Sequence, residues 1–411
     1  MENSRTIHQK LLLRNARLVL PHKLAEGASL LIEGDRIARI LKQSTNEDTH
    51  DSEVLELDGA LLFPGFIDAH IHGAVGVDTM EAGAADLHRV ALFLAAHGVT
   101  SWLPTLVPAP DVDYRKAAQS VRQLMREQAT SATAATSSRA LGLHYEGPFI
   151  NSAQCGALRP AYFRAFAATE ELDALATIDE SGAIHMMTLA PEIEGGVELV
   201  TELRRRGWVV SIGHTRADVA VLDRACAAGA RHMTHFMNAM SPLHHRAPGP
   251  IGWGLLRDDV TCDVIADGVH IDPLMLRLLL RCKQPSRLAL ISDAVAPAGL
   301  GDGDYEIWGE TIAVTGGRTR NARGHIAGSV ITMRDAVRLM LSLDVSPSDV
   351  ASMAAANPAR LLGIGDDCGS IEEGKRADLT ALNAAGNVTL TLIGGRLAYK
   401  AVTSDEQQVT S

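Results

Sequence analysis

No run of about 18 consecutive apolar residues, the length a membrane-crossing helix needs, occurs in this chain of 411 residues. The opening stretch, Met1 to Lys10, is polar and lacks the apolar core of a secretion signal. A cytoplasmic protein with no membrane partner is expected. Cysteine is sparse: Cys155, Cys226, Cys262, Cys282 and Cys368 are odd in number and scattered. That excludes a disulfide framework and metal-finger spacing, and leaves free, structural thiols. Positive charge is also short, with 38 Lys and Arg against 49 Asp and Glu, a net charge of −11. Nucleic acid is therefore not an expected partner, and an anionic ligand would need its own local arginine. No phosphate-binding loop or dinucleotide fingerprint is present, and Gly316-Gly317 reads as a turn.

What is present is alternation. Eight strand-like runs cover residues 60–69, 100–107, 139–145, 183–189, 208–213, 231–234, 261–266 and 287–292. Helix-period segments lie between most of them, at 85–96, 112–128, 197–206, 217–228 and 273–282. Strand and helix in turn imply a parallel sheet, and eight rounds imply an α/β protein with a closed (β/α)8 barrel. Both ends of the chain differ from this middle. Short β-type runs at 11–20, 29–41, 53–62, 369–380 and 388–399 are expected to pair into one small β-sandwich. The expected division is 1–62 and 365–401 for the sandwich, 63–364 for the barrel and 402–411 for a tail. The Ala/Ser/Thr stretch at 129–138 reads as a flexible connection, and Leu274, Leu278, Met340 and Leu341 read as core.

The strand ends carry the chemistry. His70 and His72 are two apart, so a strand points both to one face. Later runs end at Glu146, at His214, at His235 with Asn238 beyond, at Asp267 with His270 beyond, and at Asp293. In a barrel of this kind, reactive groups gather at the carboxyl ends of the strands. Histidines and carboxylates without cysteine form a catalytic rather than a closed structural metal set. Such a metal makes water a stronger acid, Asp293 can take and return a proton, and His270 can stabilise a developing oxyanion. Blander readings stand beside these. Asp68 can be a turn or supporting residue, His144 and His232 core groups or supports behind the ligands, and His244 and His245 solvated loop residues or phosphate contacts. Asp267 can be a loop cap. His8, His22, His50, His88, His97 and His185 read as ordinary.

Taken in order, the motifs carry a resemblance. Pro64-Gly65-Phe66-Ile67-Asp68-Ala69-His70-Ile71-His72-Gly73 opens the series. Glu146-Gly147-Pro148-Phe149, Gly213-His214-Thr215, Thr234-His235-Phe236-Met237-Asn238-Ala239-Met240, Asp267-Gly268-Val269-His270, Ser292-Asp293-Ala294 and Asn357-Pro358-Ala359 follow. The set resembles the N-acetylglucosamine-6-phosphate deacetylase family of the amidohydrolase superfamily over nearly the whole chain. The resemblance implies Glu146, His214 and His235 as the main metal ligands and His70 and His72 as a second metal position. It implies Asp293 as a ligand and acid/base, and His270 as the group that polarises the substrate carbonyl. Ala157, Leu158, Asn238, Ala239, Asp267, His270, Ile326, Ala327 and Gly328 match substrate contacts. Arg246 matches an arginine that reaches the phosphate in the neighbouring subunit of a homodimer. Many such barrels bridge two metals with a carboxylated lysine. Here the seven lysines, Lys10, Lys23, Lys42, Lys116, Lys283, Lys375 and Lys400, all lie away from strand ends, so Glu146 is the bridging candidate. Leu158 departs from the family, which commonly has a hydrogen-bonding His or Gln there. Arg159 beside it can compensate or be a solvated charge.

The expected activity is hydrolysis of the acetamide of N-acetylglucosamine 6-phosphate, with one or two divalent metals (Zn, Fe, Mn or Co). The rivals are the galactosamine epimer as substrate, a non-phosphorylated acyl-amine substrate, and a catalytically dead barrel acting as a binding protein.

Overall fold

The computed structural model describes residues 10–42, 52–131 and 134–402. His8, His50 and the tail expected beyond Val402 lie outside the described residues. Eight staves build the barrel: Phe66–Ile71, Val99–Leu106, Arg139–Ala140 with Gly142–Glu146, Ile184–Leu189, Val209–Ile212, His232–Met233, Thr261–Ile265 and Leu288–Ile291. Arg139–Ala140 and Gly142–Glu146 form one stave because both pair with Val99–Leu106. All neighbours run parallel. The first and last staves close the ring: the Asp293 amide donates to the His70 carbonyl at 2.9 Å and the His72 amide to the Ala294 carbonyl at 2.8 Å. Helices Ala84–Ala96, Asp111–Thr130, Gly196–Arg205, Val219–Ala227 and Pro273–Cys282 match the expected segments to within a few residues.

The chain ends form a second, eight-stranded sheet, in which Leu379–Leu382 from one end pairs with Leu61–Pro64 from the other. Its inner face is apolar, with Leu13, Leu30, Ile32, Leu379 and Leu392 buried in one cluster. The expected barrel with an end-built β domain is therefore observed.

Three local expectations are corrected. The run at 60–69 is two strands, one in each sheet, divided at Gly65. There a Cβ would lie 2.2 Å from Thr100 Cγ2, so only glycine lets the chain pass this closely between the two sheets. The 129–138 stretch continues the second helix to Thr130, and its part after residues 132–133 is anchored: Ala134, Ser137 and Ser138 are buried, and the Ser138 carbonyl accepts from Trp102 Nε1 at 3.1 Å. Small side chains let this segment pack beneath the first helix. Leu274 and Leu278 are exposed, at 73% and 40%, whereas Leu276 and Leu279 are buried. Helix Pro273–Cys282 carries apolar residues on two faces, and only one meets the barrel. Met340 is buried as expected.

A further sheet was not foreseen. After the eighth stave, strands Gly303–Ile307, Glu310–Thr315 and Arg318–Asn321 form a small antiparallel sheet.

Candidate active site

Backbone conformation at the strand ends aims the site. His214, His235 and Asp293 have φ values of 48°, 30° and 50°. Left-handed backbone is costly for residues other than glycine and concentrates where function demands it. Here it turns each side chain from the stave into the mouth. Asp293 is clamped by its amide bond to His70 and by the Ser329 amide, which donates to its carbonyl at 2.7 Å. Gly328, φ 63°, allows this approach, since a Cβ would lie 2.9 Å from the Asp293 carbonyl oxygen.

Four imidazoles converge on two carboxylates. Glu146 Oε1 lies 2.8 Å from His214 Nε2 and 3.1 Å from His235 Nε2. Its Oε2 lies 3.4 Å from His72 Nε2. Asp293 Oδ1 lies 3.2 Å from His72 Nε2 and 3.4 Å from His70 Nε2. The Nε2 atoms of His70 and His72 are 3.2 Å apart, and those of His214 and His235 are 3.1 Å apart. All six residues are buried. Two groups have metal-holding geometry, His70–His72–Glu146 and Glu146–His214–His235, and they share Glu146.

The charges in this cluster are strongly coupled. Burial opposes charge on His72, but the hydrogen bonds it donates to Asp293 and Glu146 outweigh this and raise the imidazole to about 10. Burial likewise opposes charge on His235, while Glu146 raises it to about 9. Burial would raise Glu146, yet His214, His235 and His72 hold it well below the usual carboxylate range. His70 is driven well below the ordinary imidazole value by burial and by neighbouring His144. The cluster thus draws positive charge to its centre. His214 Nδ1 donates to the Gln154 carbonyl at 2.7 Å, which leaves the Nε2 lone pair facing inward. Converging Nε2 atoms, one tautomer fixed in this way and the absence of thiols fit a divalent cation.

A polar layer below supports the ligands. His144 Nε2 contacts Thr188 Oγ1 at 2.8 Å, and Thr188 Oγ1 contacts Thr234 Oγ1 at 2.6 Å. His232 Nε2 contacts Asp263 Oδ2 at 3.0 Å, and Asp263 accepts the His235 amide. These are the supporting roles expected for His144 and His232. Asp68 links the first and last staves by accepting from Ser292 Oγ at 2.5 Å. Burial raises the Asp68 carboxyl to about 7, against the lowering effect of Ser292.

Above the cluster lies a cavity of about 250 Å3. Ala157, Leu158, Asn238, Ala239, His270, Ile326 and Gly328 line it with the metal-type residues. Asp267 stands behind His270: its Oδ2 accepts from His270 Nδ1 at 2.7 Å and its Oδ1 from the Val269 and His270 amides, both at 2.8 Å. Ala327 is buried beside the cavity wall, and Arg246 is exposed on a loop away from it. Arg159 stacks over the Tyr162 ring at 4.7 Å rather than lining the cavity. Two residues missed from the sequence also line it, Trp308 and His325. Trp308 packs edge-on to His72, with centroids 5.3 Å apart. Nothing in the local pattern marks Trp308, but His325 directly precedes Ile326-Ala327-Gly328 and could have been found there. Two larger cavities, of about 490 and 500 Å3, lie elsewhere and contain neither metal-type group.

Buried imidazoles and carboxylates at the carboxyl ends of barrel staves define an amidohydrolase-type hydrolase. The Amidohydrolase family matches residues 61–398. The N-acetylglucosamine-6-phosphate deacetylase of Bacillus subtilis is 34% identical over 97% of this chain and 99% of its own length. The N-acetylgalactosamine-6-phosphate deacetylase of Escherichia coli is 37% identical over 84% of this chain and 89% of its own. The N-acetyl-D-glucosamine-6-phosphate deacetylase of Mycobacterium smegmatis, solved in complex with N-acetyl-D-glucosamine 6-phosphate, superposes with a TM-score of 0.84 at 30% identity, covering 95% of this chain and all of that one. The chain belongs to the N-acetylglucosamine-6-phosphate deacetylase family of amidohydrolases.

Proposed function

We propose that this enzyme hydrolyses the acetamide of N-acetylglucosamine 6-phosphate to glucosamine 6-phosphate and acetate. The observation that carries this reading is Asp293 Oδ1 beside the His70–His72 pair, in a cavity whose other wall is Glu146, His214 and His235. Glu146, His214 and His235 would hold one divalent cation and His70 with His72 a second, Zn, Fe, Mn or Co, with Glu146 between them and Asp293 as a further ligand. A cation there supplies Lewis acidity, acidifying water and drawing electrons from the amide carbonyl. Asp293 takes the proton of the attacking water and passes it to the amine as the C–N bond breaks. His270, oriented by Asp267, contacts the amide carbonyl oxygen. Asn238, Ala239 and the 326–328 segment hold the sugar.

The phosphate is assigned to Arg246 of a second copy of this chain. Arg246 lies on an exposed loop with Leu243, outside the residues that line the cavity, so a second copy of this chain is the proposed route by which it reaches a phosphate. Mixed dimers of Asp293→Asn and Arg246→Ala chains should recover activity, and no recovery in verified mixed dimers rejects the assignment. A phosphorylated sugar does not cross a bilayer unaided, so this reading places the enzyme in the cytoplasm. The barrel is the proposed catalytic unit, with its end at 364 kept and its start moved from 63 to Gly65, because strand Leu61–Pro64 belongs to the end-built sheet.

Acetate release from phosphorylated and unphosphorylated N-acetyl sugars tests the reading. Turnover should be greatest on N-acetylglucosamine 6-phosphate. Preference for its C4 epimer would transfer the reading to the galactosamine series, and no release from any sugar would reject it. Metal analysis should show one to two ions per chain, with one lost when His70 and His72 are both replaced by alanine.

A further inference from the structure

The cavity wall formed by Gly156, Ala157 and Leu158 offers a sugar no hydrogen-bonding side chain, and Leu158 is 4% exposed. One imidazole stands on that wall. His325 Nδ1 lies 2.7 Å from the Gly156 carbonyl oxygen. A carbonyl only accepts, so Nδ1 carries the proton and Nε2 of the neutral ring is an acceptor. His325 is exposed at the cavity rim, and among the described residues no protein group hydrogen-bonds to its Nε2. Arg323 Nη2 donates to the Ala157 carbonyl at 2.8 Å, so the two loops are tied at adjacent residues. The polar groups left to meet a polyhydroxy ligand are few. Glu146, Asp293 and the four histidines form the metal cluster, and Asn238 has its Nδ2 turned back to the His235 carbonyl at 3.2 Å, which leaves its Oδ1 for the sugar.

We propose that His325 is a specificity-determining residue: its Nε2 accepts a hydrogen bond from a ring hydroxyl of the substrate, on the wall that Leu158 leaves without a polar side chain. The inference rests on the amino-sugar reading above. Two substitutions separate contact from tether. In His325→Asn the amide nitrogen sits near the place of Nδ1, keeping the bond to Gly156 and losing the reach of Nε2. In His325→Gln the amide reaches the place of Nε2 and gives up the tether.

The experiment measures kcat and KM for acetate release from N-acetylglucosamine 6-phosphate and its C4 epimer, with thermal unfolding of each variant. His325→Asn should raise KM by about 2- to 13-fold, the range of one neutral hydrogen bond. It should leave kcat within about twofold and narrow the ratio of kcat/KM between the epimers, while His325→Gln stays closer to wild type. The reverse order, with Asn like wild type and Gln impaired, makes His325 a loop tether and overturns the proposal. Wild-type constants in both variants overturn it too, as does equal impairment of both with a lowered melting temperature. If wild-type enzyme releases acetate from neither sugar phosphate, the amino-sugar reading itself fails. His325 is then judged by the same pair on whichever N-acetyl substrate is turned over.

Discussion

In the sheet built from the chain ends, charge stands outside and apolar side chains stand within. Arg14 pairs with Glu56 at 2.7 Å and Lys10 with Glu33 at 3.2 Å, all four side chains at least a third exposed. At the barrel mouth the arrangement is inverted: four histidines, a glutamate and an aspartate are buried against one another. The backbone differs as well. The sheet has left-handed Asn15, φ 54°, at an irregularity between Leu13 and Ala16, a place asparagine tolerates. The mouth has His214, His235, Ala239 and Asp293 in that region, none of them chosen for backbone ease. Each such residue costs of order 1–3 kcal/mol, and burial elsewhere offsets it. The sheet is thus built for stability and replaceable piece by piece. The mouth is held in place at the expense of stability, because its groups must meet at one point.

The largest expected effect breaks the mouth and spares the sheet. Asp293→Asn should lower kcat by about 100- to 10,000-fold through loss of proton transfer. Its melting temperature should not fall, and a variant retaining more than about a tenth of wild-type kcat would remove Asp293 from the proton pathway.

Leu30→Ala tests the opposite side of the comparison. Leu30 is fully buried between Leu13 and Ile40 on neighbouring strands. Its truncation should cost about 2–5 kcal/mol in denaturant unfolding. The kcat of folded enzyme should stay unchanged, and a large loss of kcat at full folding would show that sheet and mouth are not separable.

The smallest effect compares the two left-handed positions. Ala239→Gly should stabilise the chain by up to about 1 kcal/mol, because glycine adopts φ 49° without strain. Asn15→Gly should change stability by less than Ala239→Gly does, since asparagine already accepts that conformation. Equal shifts in chemical unfolding would mean that the mouth carries no more backbone strain than the sheet.

Much of this was legible along the chain. Period-two spacing placed His70 and His72 on one side of a strand, and their Nε2 atoms lie 3.2 Å apart. Glu146, His214, His235 and Asp293 stood out as reactive residues recurring where apolar runs stop, and the family resemblance implied their roles. Legibility failed where a residue's role depends on what packs against it. Leu274 sits at helical spacing among leucines, yet its face meets no barrel stave. Trp308 sits in the turn between strands Gly303–Ile307 and Glu310–Thr315 of the inserted sheet, and only folding lays it against His72.

The sequence by itself determined the α/β alternation, the joining of both chain ends in one β domain and the recurrence of histidines and carboxylates at strand ends, because these depend on local period and on residue chemistry. The sequence made Glu146 a bridging candidate, but only tertiary structure set its contacts with His214 and His235, across separations of 68 and 89 residues. Tertiary structure also decided that Asp267 holds His270 rather than lining the cavity, and that His325 closes the wall beside Leu158. The reason is geometric. Ring closure fixes which strand ends face one another, and that distance is written in no single segment of the chain.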